Sequence, residues 1–426
     1  MAIVDPKLQR CFALEVVRKL REARFEAYWA GGCVRDRLLE RTPKDYDVAT
    51  NATPPKIREV FGYRRTLAIG AAFGVITVLG PRTAGQVEVT TFREDAAYSD
   101  GRHPDSVRFG SAREDASRRD FTINGLFYDP VEDQVLDYVG GREDLQRHLI
   151  RAIGDPRQRF AEDKLRMLRA VRFASAFGFA LEDATRDAIQ QMADEIIVVS
   201  GERIAMEMRR MLTEPGRVDA VRLLLETRLA KPVLPEIVPV DDLRRQALEH
   251  ALKVLATFDR PNFPVAMATL LGELTDAPGA ADIGFRWRLS NKEIDRLAWL
   301  LQHRSALDNA RSKPWSMLQK VFVAEGIDDL LLCHEATLRA DGGDLDESQW
   351  CRALLARPAA ELNPPPLITG NDLMAHGIPS GPLFRVLLEE IRDAQLDGRV
   401  ASKAEALTLV DQWMASHPKV AGEETG

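Results

Sequence analysis

Apolar residues follow two different spacings in the first 150 residues, which predicts a mixed α/β segment. Helical spacing predicts an amphipathic helix over Arg10–Arg24 and a shorter helix over Val34–Glu40. Alternating or continuous apolar stretches with β-branched residues predict strands between and after these helices. The predicted strands are Glu26–Ala30, Tyr46–Ala49, Gly74–Leu79, Gln86–Phe92 and Val135–Asp137. We expect at least the third and fourth of them to belong to one sheet.

The pattern changes abruptly after the first 150 residues. From Arg157 onward, strand-type runs disappear and apolar residues recur with the 3.6-residue period of a helix almost to the end. Prolines and glycines interrupt this region, and Pro364-Pro365-Pro366 is the best linker candidate because it favours an extended, helix-breaking connection. The chain is therefore predicted to be α+β, with a small mixed α/β head domain followed by an elongated all-helical remainder.

The composition is typical of a soluble globular protein with more than one domain. The chain has 426 residues, of which 45% are hydrophobic and 29% charged, and at roughly 100–200 residues per domain we expect two to four modules. No apolar run approaches the roughly 20 residues that cross a bilayer. The 4 cysteines form no CxxC pair, which favours reduced thiols and a cytoplasmic location. The net charge of −7 does not indicate a nucleic-acid partner, but it leaves local basic patches open.

Two acidic residues two positions apart are the first candidate for chemistry. On a strand, Asp45 and Asp47 would point to the same face, where a hard divalent cation would relieve their repulsion. A third acid, Glu88, lies in a neighbouring predicted strand. Upstream, Gly31-Gly32 joins a predicted strand to a helix, where backbone N–H groups and Arg35 could reach a phosphate. Taken alone, the acidic pair could also be an ordinary solvated surface feature.

Three longer motifs resemble one family of enzymes. Arg118–Gly125 (RRDFTING) resembles an RRDxTxN block, and Glu162–Phe173 (EDKLRMLRAVRF) resembles an EDxxRxxRAxRF helix. Leu367–Met374, followed by Gly377–Pro382, is similar to the C-terminal tail of the same proteins. In this order, and with the upstream glycines and acids, the motifs resemble the class II tRNA nucleotidyltransferases, or CCA-adding enzymes, and the related bacterial poly(A) polymerases.

The resemblance implies a role for each motif residue. Asp45, Asp47 and Glu88 would be catalytic, and Asp45 and Asp47 would bind Mg²⁺ as the cofactor. One ion would lower the pKa of the hydroxyl at the RNA 3′ end, and a second would offset charge on the leaving pyrophosphate. The implied nucleotide-binding residues are Gly31, Gly32, Arg35, Arg119, Asp120, Asn124, Asp163, Arg166, Arg169 and Arg172.

Two residues of the motif Glu162–Phe173 have the chemistry to select a base. On one helix, Asp163 and Arg166 would share a face, where the carboxylate can accept from the exocyclic amine of cytosine or adenine and the guanidinium can donate to the ring nitrogen. Uracil and guanine would reverse both contacts and leave buried polar groups unpaired. Glu162 could orient the Arg166 guanidinium. Arg169 and Arg172 could contact phosphate or merely support the site as ion pairs, and a capped amphipathic helix is the plainest alternative for the whole segment.

The family resemblance also implies a four-part organisation. The head would span residues 1–150, a helical neck with the nucleotide-selecting helix 151–215, a helical body with a degenerate HD-like region 216–360, and a helical tRNA-binding tail 361–426. The implied partners are the tRNA 3′ end, CTP and ATP, with no membrane partner, and the oligomeric state stays open. Candidate phosphate contacts in the body, each of which could also be a solvated surface charge, are Arg286, Arg288, Arg304, Arg311, Lys313 and Lys320.

The predicted activity is the template-independent addition of CCA to tRNA, and four alternatives remain. A poly(A) polymerase is disfavoured because Lys164 stands where related polymerases tend to have proline. A CC-only enzyme is disfavoured because the polar loop Arg93–Val107 has full length, and an A-only enzyme or an inactive RNA-binding protein is also conceivable. In the body, Glu249-His250 resembles the start of an HD motif, but Gly272-Glu273 replaces the expected His-Asp pair, which predicts no phosphohydrolase activity.

Overall fold

In a computed structural model, the chain divides into two units. The N-terminal unit is Met1–Val238 and the C-terminal unit is Pro239–Gly426. The structure describes residues 4–95 and 107–417, so most of the loop predicted over Arg93–Val107 lies outside the described residues. The boundary between the units falls within the segment predicted as the body.

A mixed sheet dominates the first half of the N-terminal unit. The described strands are β1 (Ala27–Ala30), β2 (Asp47–Thr50), β3 (Thr66–Leu67), β4 (Val75–Leu79), β5 (Gln86–Thr91), β6 (Arg93–Asp95), β7 (Val107–Phe109), β8 (Phe127–Asp129), β9 (Gln134–Leu136), β10 (Leu149–Ile150) and β11 (Ala180–Leu181). Seven of them form one sheet in the order β3-β4-β5-β2-β1-β8-β9. The β2–β5 pair is parallel and the other neighbours are antiparallel. The predicted strands are thus present within a residue or two of their expected ends.

Helices cover this sheet and continue into the second half of the N-terminal unit. They are α1 (Pro6–Glu22), α2 (Gly32–Leu38), α3 (Pro54–Phe61), α4 (Ala112–Ser117), α5 (Gly141–Gln146), α6 (Pro156–Glu162), α7 (Leu165–Phe177), α8 (Asp183–Met192), α9 (Gly201–Thr213), α10 (Arg217–Glu226) and α11 (Ala230–Val233). Helix α1 begins at Pro6 rather than Arg10, because the Asp5 side chain accepts from the Lys7 amide at 2.8 Å and proline suits the first helical position.

One face of the sheet is buried under helix α1, so the functional side chains lie on the opposite face. Helix α1 packs against β1, β2 and β5 and buries Val16 and Leu20 completely. On β5, Val87 and Val89 are fully buried, whereas Glu88 between them is exposed. Since successive strand residues point to opposite faces, Glu88 projects away from the core.

The C-terminal unit is helical throughout its described residues. Its helices are α12 (Asp242–Ala256), α13 (Phe263–Leu271), α14 (Ala277–Arg286), α15 (Asn291–Gln302), α16 (Trp315–Phe322), α17 (Ile327–Asp341), α18 (Asp346–Leu355), α19 (Ala359–Leu362), α20 (Gly370–Ala375), α21 (Pro382–Leu396) and α22 (Lys403–Ser416). The proline triplet lies between α19 and α20, where the helix break was predicted. The α+β fold class, with a mixed head followed by a helical remainder, is confirmed. None of the helices in the described ranges has the length and apolar character that crossing a membrane requires.

In the HD-like segment, His250 contacts two carboxylates from other parts of the C-terminal unit. In α12, His250 places Nδ1 2.9 Å from Glu273 Oε1 and Nε2 3.1 Å from Asp341 Oδ1. Because both ring nitrogens are occupied by carboxylates, His250 connects α12 to the end of α17 and to the turn after α13. Within residues 4–95 and 107–417, no group of three or more His, Cys, Asp or Glu residues is arranged to hold a metal ion by itself.

Candidate active site

A cavity of about 530 Å³ in the N-terminal unit brings together almost all the predicted site residues. Its wall combines the central strands β1, β2 and β5, the turn before α2 and the helices α7 and α9. The predicted residues that line it are Gly31, Gly32, Arg35, Asp47, Glu88, Arg119, Asp120, Asn124, Asp163, Arg166, Arg169 and Arg172. Asp45 is exposed and is not part of the lining. Residues that line the cavity but were not among the predicted site residues include Thr90, Arg118, Phe173 and Arg210.

The acidic group lies where β2 and β5 run side by side. Asp47 and Glu88 are register partners of this parallel pair, so their side chains share one face. Asp45 was expected on the same strand, but β2 begins only at Asp47. Tyr46 is buried, with its ring centroid 4.8 Å from that of Trp29, and the exposed Asp45 lies close enough to Asp47 for its charge to raise the pKa of that carboxyl.

Negative charge accumulates at Asp47 without full compensation. Burial, together with the neighbouring Asp45 and Glu88 carboxylates, raises the pKa of Asp47 to about 7, against which Arg119 acts only in part. A cation would relieve this repulsion, and oxygen donors of this kind suit a hard divalent ion. The donor set therefore fits Mg²⁺, with coordination positions left for phosphate oxygens or water.

The glycine turn after β1 brings the backbone close to an arginine of the RRD block. Gly31 has φ 71°, in the region that favours glycine, and a Cβ there would lie 2.8 Å from Arg119 Nη1. Any larger residue would therefore be strained and would displace Arg119 from the cavity wall. The need for Gly31 is conformational and steric, and it does not depend on a bound phosphate.

Arg35 is more strongly engaged by the protein than the phosphate-binding expectation assumed. Its Nη1 donates to Asn124 Oδ1 at 2.6 Å, and its Nε and Nη2 donate to Asp36 at 2.9 and 2.7 Å. The guanidinium also lies 4.5 Å from the ring centroid of Phe177. Arg35 thus lines the cavity but chiefly ties α2 to Asn124 and to the end of α7.

The RRD block is held by two buried carboxylates. Asp115 pairs with Arg118 and Arg119 at 2.6 and 3.0 Å, and although burial favours its neutral form, Arg119 and Arg118 hold its pKa below the ordinary value. Asp120 accepts from the Phe121 amide at 2.8 Å. Although burial favours its neutral form, Arg169 and the Asn124 amide hold the pKa of Asp120 well below its usual range. Both carboxylates are therefore fixed and ionised.

Asp163 and Arg166, which were predicted to select the base, do not share a continuous helix, contrary to the sequence prediction. Helix α6 ends at Glu162, Asp163 has extended backbone angles (φ −148°, ψ 105°), and α7 begins at Leu165. Asp163 Oδ1 accepts from the Leu165 amide at 3.1 Å, as a capping residue does. The break still leaves Asp163 and Arg166 in the same cavity wall.

Each member of this pair has a partner outside the cavity lining. Arg166 Nη1 donates to Glu162 at 2.6 Å, as expected from the sequence, and also to the Arg159 carbonyl at 3.2 Å. Asp163 Oδ2 accepts from Arg203 Nη2 at 2.7 Å. The sequence analysis missed Arg203, which comes from α9, forty residues along the chain.

A second residue of α9 holds the arginines of α7. Glu207 is buried and pairs with Arg172 Nε and, at 3.7 Å, with Arg169, while Arg169 also makes a two-point contact with Asp120 at 2.9 and 2.7 Å. For Arg169 and Arg172, the ion-pair role therefore has direct structural support. The only sequence signal for this was the spacing of Arg203 and Glu207, which places them on one face of α9.

This chain resembles known proteins in family, in sequence and in structure. The family model described as Poly A polymerase head domain matches residues 27–151, and the model described as Probable RNA and SrmB- binding site of polymerase A matches residues 178–240. The CCA-adding enzyme of Lactobacillus johnsonii is 34% identical over 399 residues, covering 93% of this chain and 95% of the relative. That of Geobacillus stearothermophilus is 34% identical over 400 residues with the same coverage.

Solved structures show the same likeness. The Bacillus stearothermophilus CCA-adding enzyme in complex with CTP has a TM-score of 0.76 and 29% identity, and the match covers 96% of this chain and 98% of that one. The Thermotoga maritima CCA-adding enzyme complexed with tRNA shares the fold, with a TM-score of 0.63 and 22% identity over 96% of each chain.

Proposed function

The chain belongs to the CCA-adding enzyme family of tRNA nucleotidyltransferases, and from this premise we propose that it adds C, C and A to the 3′ end of tRNA from CTP and ATP. The observation that carries the proposal is that one cavity holds both the Asp47–Glu88 pair and the Asp163–Arg166 pair. The first pair suits phosphoryl transfer, and the second suits selection of a base without a template.

Base selection in this proposal depends on hydrogen-bond direction. The Asp163 carboxylate accepts from the exocyclic amine of cytosine or adenine, and Arg166 donates to the adjacent ring nitrogen. The contact with Arg203 restrains Asp163, and the contact with Glu162 restrains Arg166, so neither group can turn to suit uracil. Asp120, held ionised by Arg169, has an oxygen to accept from the ribose 2′-hydroxyl.

Enzymes of this family generally use a divalent metal ion, and we propose Mg²⁺, held by Asp45 and Asp47 with Glu88 assisting. When bound, the ion supplies charge compensation at the triphosphate and a lowered pKa for the attacking hydroxyl. The oxygen of the RNA 3′-hydroxyl forms a bond to the α-phosphorus of the nucleotide, the bond to pyrophosphate breaks, and the hydroxyl proton passes to solvent.

The four-part division into head, neck, body and tail remains our proposal for how these tasks are distributed. The head (1–150) and neck (151–215) supply the cavity, and we propose that the body (216–360) and tail (361–426) contact the tRNA. A tRNA substrate also agrees with the cytoplasmic location expected from the cysteines, all four of which are free thiols.

The reaction can be tested with tRNA that lacks its 3′ end. The protein is incubated with this tRNA, Mg²⁺ and each nucleoside triphosphate, alone and in combination, and the products are resolved to single nucleotides. We expect CTP and ATP together to give three added residues and then a stop. Long adenosine tracts on any RNA would identify a poly(A) polymerase instead, and arrest after CC or addition of A alone would identify a partial enzyme.

A further inference from the structure

A second cavity, in the C-terminal unit, combines aromatic and basic side chains. It has a volume of about 370 Å³ and lies among α16, α18, α19 and the loop before α16. Trp315 and Trp350 contribute two of the six tryptophans of the chain to its wall. Both indoles are partly buried, while Leu318 and Leu354 are buried and form its apolar part. The cavity therefore offers flat aromatic surface that is reachable from solvent and backed by aliphatic side chains.

The polar part of the lining is predominantly basic. Arg311, Lys313 and Arg357 face a single acid, Glu361. The Arg311 guanidinium lies 6.0 Å from the ring centroid of Trp350, so a positive charge is positioned directly beside one indole. The net charge of the lining favours an anionic ligand over a cationic or neutral one.

Contacts with the backbone hold two of these basic groups in place. Arg311 Nη2 donates to the Asp346 carbonyl at 2.7 Å, and Lys313 Nζ donates to the carbonyls of Ser305 and Ala306 at 3.2 and 2.9 Å. Because a guanidinium has five N–H donors and an ammonium three, each keeps donors beyond these bonds. Holding the cations in this way lowers the entropy lost when a ligand binds.

Aromatic surface beside fixed cations is the combination that binds single nucleotides of RNA. Bases stack on aromatic side chains whatever their sequence, and neighbouring basic groups neutralise the phosphate. A volume of about 370 Å³ suits one small ligand rather than a duplex. A peptide with apolar side chains would gain nothing from the three basic groups, which makes it a poorer fit.

We propose that this cavity binds one unstacked nucleotide of the RNA substrate, with its base against Trp350 or Trp315 and its phosphate near Arg311 and Arg357. The identity of the RNA as tRNA rests on the proposed function. The proposed site differs from the phosphate contacts predicted for the body. Binding at this site requires an RNA base that can leave the stack of its neighbouring bases. It contributes to tRNA affinity and leaves the chemistry of the CTP site unchanged.

The test compares two tryptophan variants of the full-length protein. Trp350→Ala removes the stacking surface, and Trp299→Ala is the matched control, since Trp299 is a partly buried indole of the same unit that stacks on His303 outside the cavity. We expect Trp350→Ala to raise both the Kd and the KM for tRNA about tenfold, as for loss of one stacked base. The kcat and the KM for CTP should stay unchanged, and Trp350→Phe should restore most of the affinity.

Two further measurements make the interpretation of the Trp350→Ala result unambiguous. Arg357→Gln, at an exposed position, should lower the slope of log Kd against log salt concentration by about one, as for loss of one phosphate contact. Free AMP is titrated against the same variants. Equal tRNA affinities for Trp350→Ala and Trp299→Ala would overturn the proposal, and so would AMP binding that depends on Trp350 while tRNA affinity does not. Because Kd is measured without turnover, a protein that bound tRNA through Trp350 but added no CCA would contradict only the proposed function.

Discussion

The two sides of the candidate active site differ in how their charges are balanced. On the sheet side, Asp47 lies among other carboxylates, and burial and this repulsion raise its pKa to about 7. On the helical side, Asp163 is paired with Arg203 and Arg166 with Glu162, at 2.7 and 2.6 Å. In the proposed function, the unbalanced side would bind a cation from outside the protein, whereas the balanced side would recognise a neutral base. The same cavity can therefore combine a metal-dependent reaction with fixed base selection.

The largest loss of activity should follow from removing a carboxylate on the sheet side of the cavity. Asp47→Ala removes a carboxylate that the proposed reaction cannot replace, and we expect kcat/KM for CTP to fall on the order of a thousandfold or more. Circular dichroism should show an unchanged fold, because the mutation relieves repulsion rather than breaking a pair. Near-normal turnover by this variant would disprove the assignment of Asp47 to the metal.

Removing a base-reading group should change selectivity more than rate. In Asp163→Ala the amine of cytosine loses its acceptor while uracil loses an unfavourable contact, so the preference for CTP over UTP in kcat/KM should drop about a hundredfold. Asp183→Ala, at an exposed acid of α8, is the control. Unchanged discrimination between CTP and UTP would mean that selection lies elsewhere.

A smaller change is expected when only the partner of Asp163 is removed. Arg203→Met leaves the carboxylate in place but free to turn, so we expect selectivity for CTP over UTP to fall about tenfold, with partial recovery in Arg203→Lys. Arg186→Met, which removes a surface ion pair of α8, should leave selectivity unchanged. If Arg203→Met loses only thermal stability and keeps full selectivity, Arg203 has a structural role alone.

The smallest expected effect is a pH-dependent change in Tm when Asp47 is replaced. Because the pKa of Asp47 is raised in the folded state to about 7, its ionisation costs nothing at pH 4, costs progressively more as the pH rises, and has its full destabilising effect above pH 7. Asp47→Asn should therefore raise the Tm of the metal-free protein by a few degrees at pH 8 and hardly at all at pH 4. Mg²⁺ should raise the Tm of the wild type at pH 8 and narrow this gap. A Tm gap that does not vary with pH would contradict the pKa shift.

Local sequence patterns were sufficient for most strands and helices of the head, and the motifs contain most of the residues that line the cavity. The apolar and β-branched residues of Gln86–Phe92 predicted the strand β5, and the structure adds that Glu88 points away from the buried Val87 and Val89. Gly31 was predicted from the motif, and its positive φ supplies the physical reason. The parallel register of Asp47 with Glu88 could not be read from one chain, since it depends on how the intervening segment crosses over.

The failures of the sequence analysis concern partners that tertiary packing brings together. The spacing of Asp163 and Arg166 suggested one helix, but Asp163 lies at the break between α6 and α7, where its short carboxylate accepts from the Leu165 amide. Arg203 lies forty positions from Asp163, and Glu207 lies thirty-five positions from Arg172. Helical or strand periodicity relates only residues that are close in sequence, so it could not predict these contacts. Arg35 was expected to face a phosphate, and its contacts with Asn124 and Asp36 became visible only in three dimensions.

A structure with bound CTP and Mg²⁺ tests the central claim most directly. We predict that the α-phosphorus lies beside the Asp47 carboxylate while the amine edge of the cytosine meets Asp163 and its ring nitrogen meets Arg166. A bound cytosine that leaves Asp163 and Arg166 untouched, or a triphosphate remote from Asp47, would contradict the account.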